Sequence, residues 1–304
     1  MSSGRVRTSG DGVAIGLYSR LARRERRGLR GLAGRLLIRA LVALLLVVEI
    51  YPLFWLFISS FKTSEEFTVG SVWALPAHLY FGNWSYAWNT GDIPMYFKNS
   101  VIAVFPSLCF IIVLSIAAAF GLEVMKWKFR NGVLLLFIAG ILIPMQMVLL
   151  PMFTIYFHLG LINSLWSLII AYTGFGLPLA IFLMAGYFRA FPREVLEAAT
   201  LDGASLYRAF VNIAFPMMRG AIFTVAVVEF FFSWNDLLLS LTFIATNDHR
   251  TIQTGLLNFT GQYGAIEWGP TFAAVSMTII PTLIFYFILN KRVMRGLNAG
   301  SVKG

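Results

Sequence analysis

Apolar residues in this chain come in long runs separated by short polar segments. Neither the period-2 alternation of a half-buried strand nor a single helical stripe dominates. The runs cover residues 36–60, 97–123, 131–156, 165–187, 219–244 and 270–289. Each approaches or exceeds the roughly 20 residues that a helix needs to cross a bilayer. Lipid offers backbone N–H and C=O groups no partner, so such runs must be helical. The pattern predicts an all-α polytopic membrane protein of six transmembrane helices over residues 36–290. Pro106, Pro144, Pro151 and Pro281 fall inside runs, and Gly174, Gly176 and Pro178 sit in the middle of the fourth. Such residues kink membrane helices or let them approach closely.

Composition agrees with lipid as solvent. Apolar residues make up 58% and charged residues 12%, against about 25% charged in soluble domains. Mean hydropathy is +0.76. The net charge of +10 would suit nucleic acid, but its distribution suits a membrane. With the N-terminus inside, the inner segments hold 21 of the 24 Lys and Arg residues, and the outer ones hold Lys62, Lys98 and Arg250. Basic residues concentrate on the cytoplasmic side of membrane proteins. Both termini, residues 1–35 and 291–304, are therefore expected in the cytoplasm, and nucleic acid is not an expected partner. The Arg-rich tail is either disordered or an amphipathic helix on an anionic surface. It does not resemble a cleavable signal peptide, because the apolar run after Arg39 is too long.

The polar segments differ in character. Residues 61–96 carry Trp73, Tyr80, Phe81, Trp84, Tyr86 and Trp88, rings that favour the membrane interface. A platform for an extracytoplasmic partner is compatible with that. Glu49, in the first run, is expected to pair locally or with a neighbouring helix. The single cysteine, Cys109, is expected to pack as a small hydrophobe, and His158 to be structural. No Gly-x-x-x-x-Gly-Lys-Ser/Thr loop, metal-ligand cluster, His-Glu-x-x-His or Gly-x-Ser-x-Gly pattern occurs, so neither ATP hydrolysis by the chain alone nor hydrolase chemistry is supported. No cofactor is expected.

Residues 191–216 stand apart, because they are polar and helix-forming between two apolar runs. Pro192 suits a first helical turn, and Glu194 and Glu197 suit its positive end. Ala198 and Ala199 leave the backbone approachable. Asp202 and Gly203 form a stop, with glycine able to take the left-handed conformation. A second short helix carries Leu206, Phe210 and Ile213 on one face, and Pro216 is expected to end it. So many polar groups exclude hydrocarbon, and the helix–turn–helix knuckle must lie in water. It is either an idle connection or a shaped docking surface.

In the fifth run, Glu229, Ser233, Asp236 and Ser240 are spaced by four, three and four residues, with Asn235 beside them. On one helix they form a single stripe. An acid at such depth cannot face lipid cheaply. The stripe could pair with a partner, hold a protonated acid, or line a water-filled path.

The knuckle resembles the cytoplasmic signature of permease subunits of binding-protein-dependent ABC importers. In that pattern Glu197-Ala198-Ala199 is followed by Gly203, then Ile213 and Phe215-Pro216, with Phe215 where leucine is usual. Phe61-Lys62-Thr63-Ser64-Glu65-Glu66, Asn83-Trp84 with Ala87-Trp88, Asn99-Ser100, Trp234-Asn235-Asp236 and Gly300–Gly304 resemble the carbohydrate-uptake branch, in particular the smaller permease of maltose-type importers. The resemblance spans roughly residues 36–304 and leaves out the Arg-rich tail. It implies half of a sugar pathway in a bacterial or archaeal cytoplasmic membrane. It also implies a second, related permease as heterodimer partner, an outer solute-binding protein, and two ATP-binding subunits that hold ATP and Mg. Glu197, Ala198, Ala199, Asp202, Gly203, Ile213 and Pro216 would meet those subunits, and the polar stripe would line the pathway. The alternatives are an amino-acid or polyamine importer permease, or a membrane enzyme or receptor with a chance knuckle.

Overall fold

The computed structural model describes residues 10–259 and 266–301. The outermost residues of both predicted tails and part of the loop before the last run lie outside them. Among the described residues every regular element is helical. The chain divides into two units, 1–58 and 59–304.

The first unit is helix α1, Gly10–Ser59, up to residue 58. The Arg-rich stretch and the first apolar run are one continuous helix.

The second unit starts with two short helices, α2 (Ser64–Thr68) and α3 (Gly82–Asn89), in the aromatic segment. Its frame is the pair α4 (Ile93–Glu123) and α7 (Leu165–Arg189), packed along most of their length. The sequence makes that seam by four-residue steps. Ala103, Ser107, Ile111, Ser115 and Ala119 are buried on α4, and Leu168, Tyr172, Gly176, Ala180, Met184 and Phe188 on α7. Residues four apart form one ridge of a helix, and small residues on it let membrane helices approach. Cys109 lies off the ridge and is exposed, contrary to the expectation that it packs in the interior. A residue two positions from a ridge point faces away.

The third run does not form one straight span. It divides into α5 (Arg130–Ile141) and α6 (Met145–His158), bent by 97°. Pro144 sits at the bend in extended conformation, because proline disfavours helix in the residue before it and cannot donate to the previous turn. Pro151 lies inside α6.

The knuckle comes next as α8 (Arg193–Leu201) and α9 (Leu206–Ala209), a π turn over Phe210–Ala214, and α10 (Phe215–Met217). Pro216 does not end this helix as expected. The widened turn ahead of it bonds Phe215 N–H to Phe210 O, which reorganises the bonds at the position where proline offers none. The chain then bends by 70° into α11 (Arg219–Trp234). The short helices α12 (Leu238–Phe243) and α13 (Ile252–Gly255) precede α14 (Trp268–Ser301), which packs on α3 and α11.

Among the described residues, three helices are long and apolar enough to cross a membrane, 34–59 within α1, α4 and α7. The count reaches five if each bent pair is one span, and Trp268–Ile284 of α14 is a shorter apolar stretch.

Candidate functional site: a knuckle and a buried acidic cavity

The knuckle is fixed from below and open above. Phe120 at the end of α4 meets Phe188 edge-on and Phe210 at a tilt, with ring centroids 5.8 and 5.0 Å apart, and Phe188 meets Phe191 at 5.9 Å. Leu196, Ala209 and Ala214 are buried in the same cluster. Arg189, in the last turn of α7, joins Glu123, at the end of α4, through an ion pair of 2.9 Å. The two long helices and the knuckle therefore meet in one packed end.

At the turn, Ala204 N–H donates to Ala199 O and Gly203 N–H to Thr200 O. This Schellman closure requires a left-handed residue between α8 and α9. Gly203 supplies it, with φ +78°, and nothing lies within 4 Å of where a side chain would begin. Ser205 caps α9 by accepting from Arg208 N–H. Glu197, Ala198 and Asp202 are exposed, Ala199 is buried, and Ile213 and Pro216 are partly covered. Leu201 and Tyr207 are 89% and 77% exposed. An apolar crest on a water-facing turn costs free energy unless something covers it. Beneath it, a cleft of about 490 Å³ opens between Lys126 and Glu197.

The polar stripe is not on one helix. α11 stops at Trp234, and Asp236 lies two residues ahead of α12, where its Oδ1 accepts from Leu239 N–H and its Oδ2 from Ser240 N–H. Tyr172 of α7 donates its hydroxyl to the same Oδ2 at 3.1 Å. Asn235 is exposed and bonds back to Phe231 O. Ser240 is fully buried in a hydroxyl cluster with Thr251 and Thr254. Asn-Asp before an apolar run reads as a helix stop followed by a new start, a signal that a strict four-three-four spacing overrides.

Three stripe residues do converge. Glu229, Ser233 and Asp236 line a cavity of about 240 Å³ together with Tyr172, Gly176 and residues of the α5–α6 bend. Glu229 is 3% exposed, and its Oε1 finds no hydrogen-bond partner among the described residues. Its other oxygen lies against Gly176. Tyr172 and Gly176 belong to this site and have no polar spacing that announces them.

The fragments that carry the family resemblance act as clamps. Asn83 donates to Ser60 O and Lys62 O, and Trp84 Nε1–H donates to Ser60 Oγ. Asn99 donates to Asp248 O and Arg250 O, while Ser100 Oγ accepts from Ile252 N–H. They tie helix residues to polar segments distant in the chain.

Residues 111–296 match the family described as binding-protein-dependent transport system inner membrane component. The chain belongs to that family. It is a transport subunit rather than an enzyme. Among its relatives, a probable ABC transporter permease, YurM, of Bacillus subtilis is 33% identical, with 86% of each chain covered. The diacetylchitobiose uptake system permease NgcG of Streptomyces coelicolor is 32% identical, with 87% of each covered. The fold is also that of a solved bacterial ABC transporter involved in import of the acidic polysaccharide alginate. The TM-score is 0.73 at 17% identity, covering 95% of this chain and 99% of that one.

Proposed function

We propose that this chain is the smaller of two permease subunits in an importer of a sugar or oligosaccharide in a bacterial or archaeal cytoplasmic membrane. The knuckle carries this reading: a water-exposed turn, closed by a left-handed Gly203, stands rigidly on the joined ends of α4 and α7. Such a turn can deliver a push from a docked ATP-binding subunit into the helices without deforming first. Glu197, Asp202, Leu201 and Tyr207 offer that subunit charge and apolar surface.

The membrane topology follows from the basic residues: six spans over residues 36–290, both termini and the knuckle inside. The α5–α6 pair is then one bent span and α11 with α12 another. A second permease meets this chain, two ATP-binding subunits hold ATP and Mg, and a solute-binding protein delivers the sugar outside. Glu229, Ser233 and Asp236 line this chain's half of the path, where carboxylates and a hydroxyl can bond sugar hydroxyls. The sugar class rests on relatives such as the diacetylchitobiose permease.

Deletion of the gene should abolish uptake of radiolabelled diacetylchitobiose, melibiose or a related glycoside, and re-expression should restore it. Purification of the chain should bring an ATPase with it. Loss of amino-acid or polyamine uptake with all sugar uptake intact would overturn the sugar reading.

A further inference from the structure

At the end of α4 remote from the knuckle lies a second polar cavity of about 260 Å³, lined by Tyr86, Thr90, Gly91, Asp92, Tyr96, Asn247, Asn258 and Phe259. Tyr96 and Phe120 are 24 residues apart on α4, about 36 Å at 1.5 Å per residue. This cavity is therefore separate from the knuckle, and it shares no lining residue with the Glu229 cavity.

Its polar groups are held rigidly. Tyr96 OH donates to Asn247 Oδ1 at 2.7 Å, and Asn258 Nδ2 donates to both Tyr96 OH and Asn247 Oδ1. Arg250 donates to Asn258 Oδ1, which fixes that amide's orientation. Asn247 Nδ2 donates to Asp92 Oδ2. Asp92 Oδ1 has no hydrogen-bond partner among the described residues. Asp92 precedes α4 but does not cap it with its side chain. It sits at φ +56°, a conformation that non-glycine residues hold at a cost. Capping would have satisfied that carboxylate locally; here it borders the cavity instead. Gly91 has no side chain, and a Cβ there would collide with the Phe259 ring, so the ring closes against this wall.

We infer that this cavity is a binding subsite for one neutral pyranose ring. The inference rests on the proposed sugar-import reading. The half-exposed Tyr86 ring offers an apolar face to the C–H face of a sugar, while Tyr96 and Phe259 are buried and back the wall from behind. Asp92 Oδ1 can accept from hydroxyls, Asn247 retains a second amide hydrogen to donate, and the Thr90 hydroxyl does both. The volume lies just under the roughly 300–1,000 Å³ of drug-sized ligand sites, which suits a single ring. A carboxylate on the wall opposes a uronate. In the proposed topology the cavity is on the outer side, where sugar arrives.

The test uses the full chain with its co-purified subunits in lipid nanodiscs. Saturation-transfer NMR is read with methyl α-glucopyranoside, methyl α-galactopyranoside, N-acetylglucosamine and glucuronate. At least one neutral glycoside should give a signal and glucuronate none. Asp92→Asn keeps the side-chain size and tolerates the left-handed backbone. It should weaken binding about tenfold, the loss expected for one hydrogen bond to a charged group. Tyr86→Ala, on a partly exposed side chain outside the amide network, should weaken binding with thermal unfolding unchanged. No signal from any neutral glycoside overturns the inference. So does a signal that survives both variants, or one lost in Glu229→Gln instead. Uptake in cells is measured in parallel. Uptake without binding removes this subsite alone, whereas specific binding without uptake removes the transport reading and leaves the subsite.

Discussion

Glu229 occupies the space that Gly176 leaves empty: a Cβ built on Gly176 would lie 2.7 Å from Glu229 Oε2 and 2.6 Å from Ile111 Cδ1. The buried acid and the α4–α7 seam thus depend on the same missing methyl group. Gly176→Ala should destabilise the protein by about 1–3 kcal/mol through overpacking. Combined with Glu229→Ala, the penalty should be less than additive, because the two residues compete for one space. Thermal unfolding of the four proteins of the cycle measures this, and strict additivity would remove the contact.

Gly203 is a purely conformational position, since a side chain there would meet nothing. Gly203→Val should therefore cost about 1–3 kcal/mol of backbone strain, and Gly203→Asn distinctly less, since Asn tolerates that region. Under the proposed function, the permease pair still assembles with the Gly203→Val chain but uptake falls. Uptake equal to wild type would show that the turn's shape does not matter.

Glu197 is exposed and bears no packing load. The acid in the first turn of α8 is Glu194, so the helix end gives Glu197 at most a small part of the about 0.3–1 kcal/mol available there. Glu197→Gln should leave thermal stability nearly unchanged and reduce recovery of the ATP-binding subunit in a pull-down. A drop in stability with recovery unaffected would assign Glu197 to the helix alone.

Thiol labelling separates the residues of the stripe. With Cys109 changed to Ala, single cysteines at 229, 233 and 236 should react with a hydrophilic reagent, and reactivity should change when ATP hydrolysis is trapped. A cysteine at 240 should stay as unreactive as controls at 231 and 238, because Ser240 is enclosed by Thr251 and Thr254. Protection of 229, 233 and 236 in every state would make the acids structural.

Glu66 should give a pH signature outside the membrane spans. Its carboxylate accepts from Ala77 N–H and Thr63 N–H, and these bonds hold its pKa below the usual carboxylate value. A depressed folded pKa means that the contribution is fully present above the unfolded pKa. It is lost as pH falls through the folded one. Acidification from about pH 6 toward pH 3 should loosen residues 63–77 in hydrogen exchange, and Glu66→Gln should flatten that dependence. The same exchange at both pH values in the wild type would contradict it.

The sequence and the fold agree where a side chain's neighbours are on its own segment. The Asp202-Gly203 stop and the polar face of α8 are local, and each is visible in the residues. What the sequence hides is pairing across the chain. Asp236 looks like one more member of a helical stripe until Tyr172, 64 residues away, is seen to hold it beside the start of α12. Gly176 looks like a kink in a span, and its partner is Glu229. Asn83, Asn99 and Ser100 are recognisable as a family pattern, yet only their distant acceptors and donors show that they are clamps. Pro216 misleads for a further reason: a π turn has no signature in apolar spacing.

The elbow at Met218 has a mechanical consequence. α11 is a straight rod of 16 residues, about 24 Å long at 1.5 Å per residue. One end is jointed to the knuckle at a 70° angle. The other end carries Glu229 and Ser233 and stops at a second joint beside Asp236. Tilting such a rod by about 10° at the elbow sweeps its far end through about 4 Å. That exceeds the length of a hydrogen bond. A small rotation at the water-facing end is thus geared up into the making or breaking of polar contacts deep in the protein, with no residue in between needing to change its conformation.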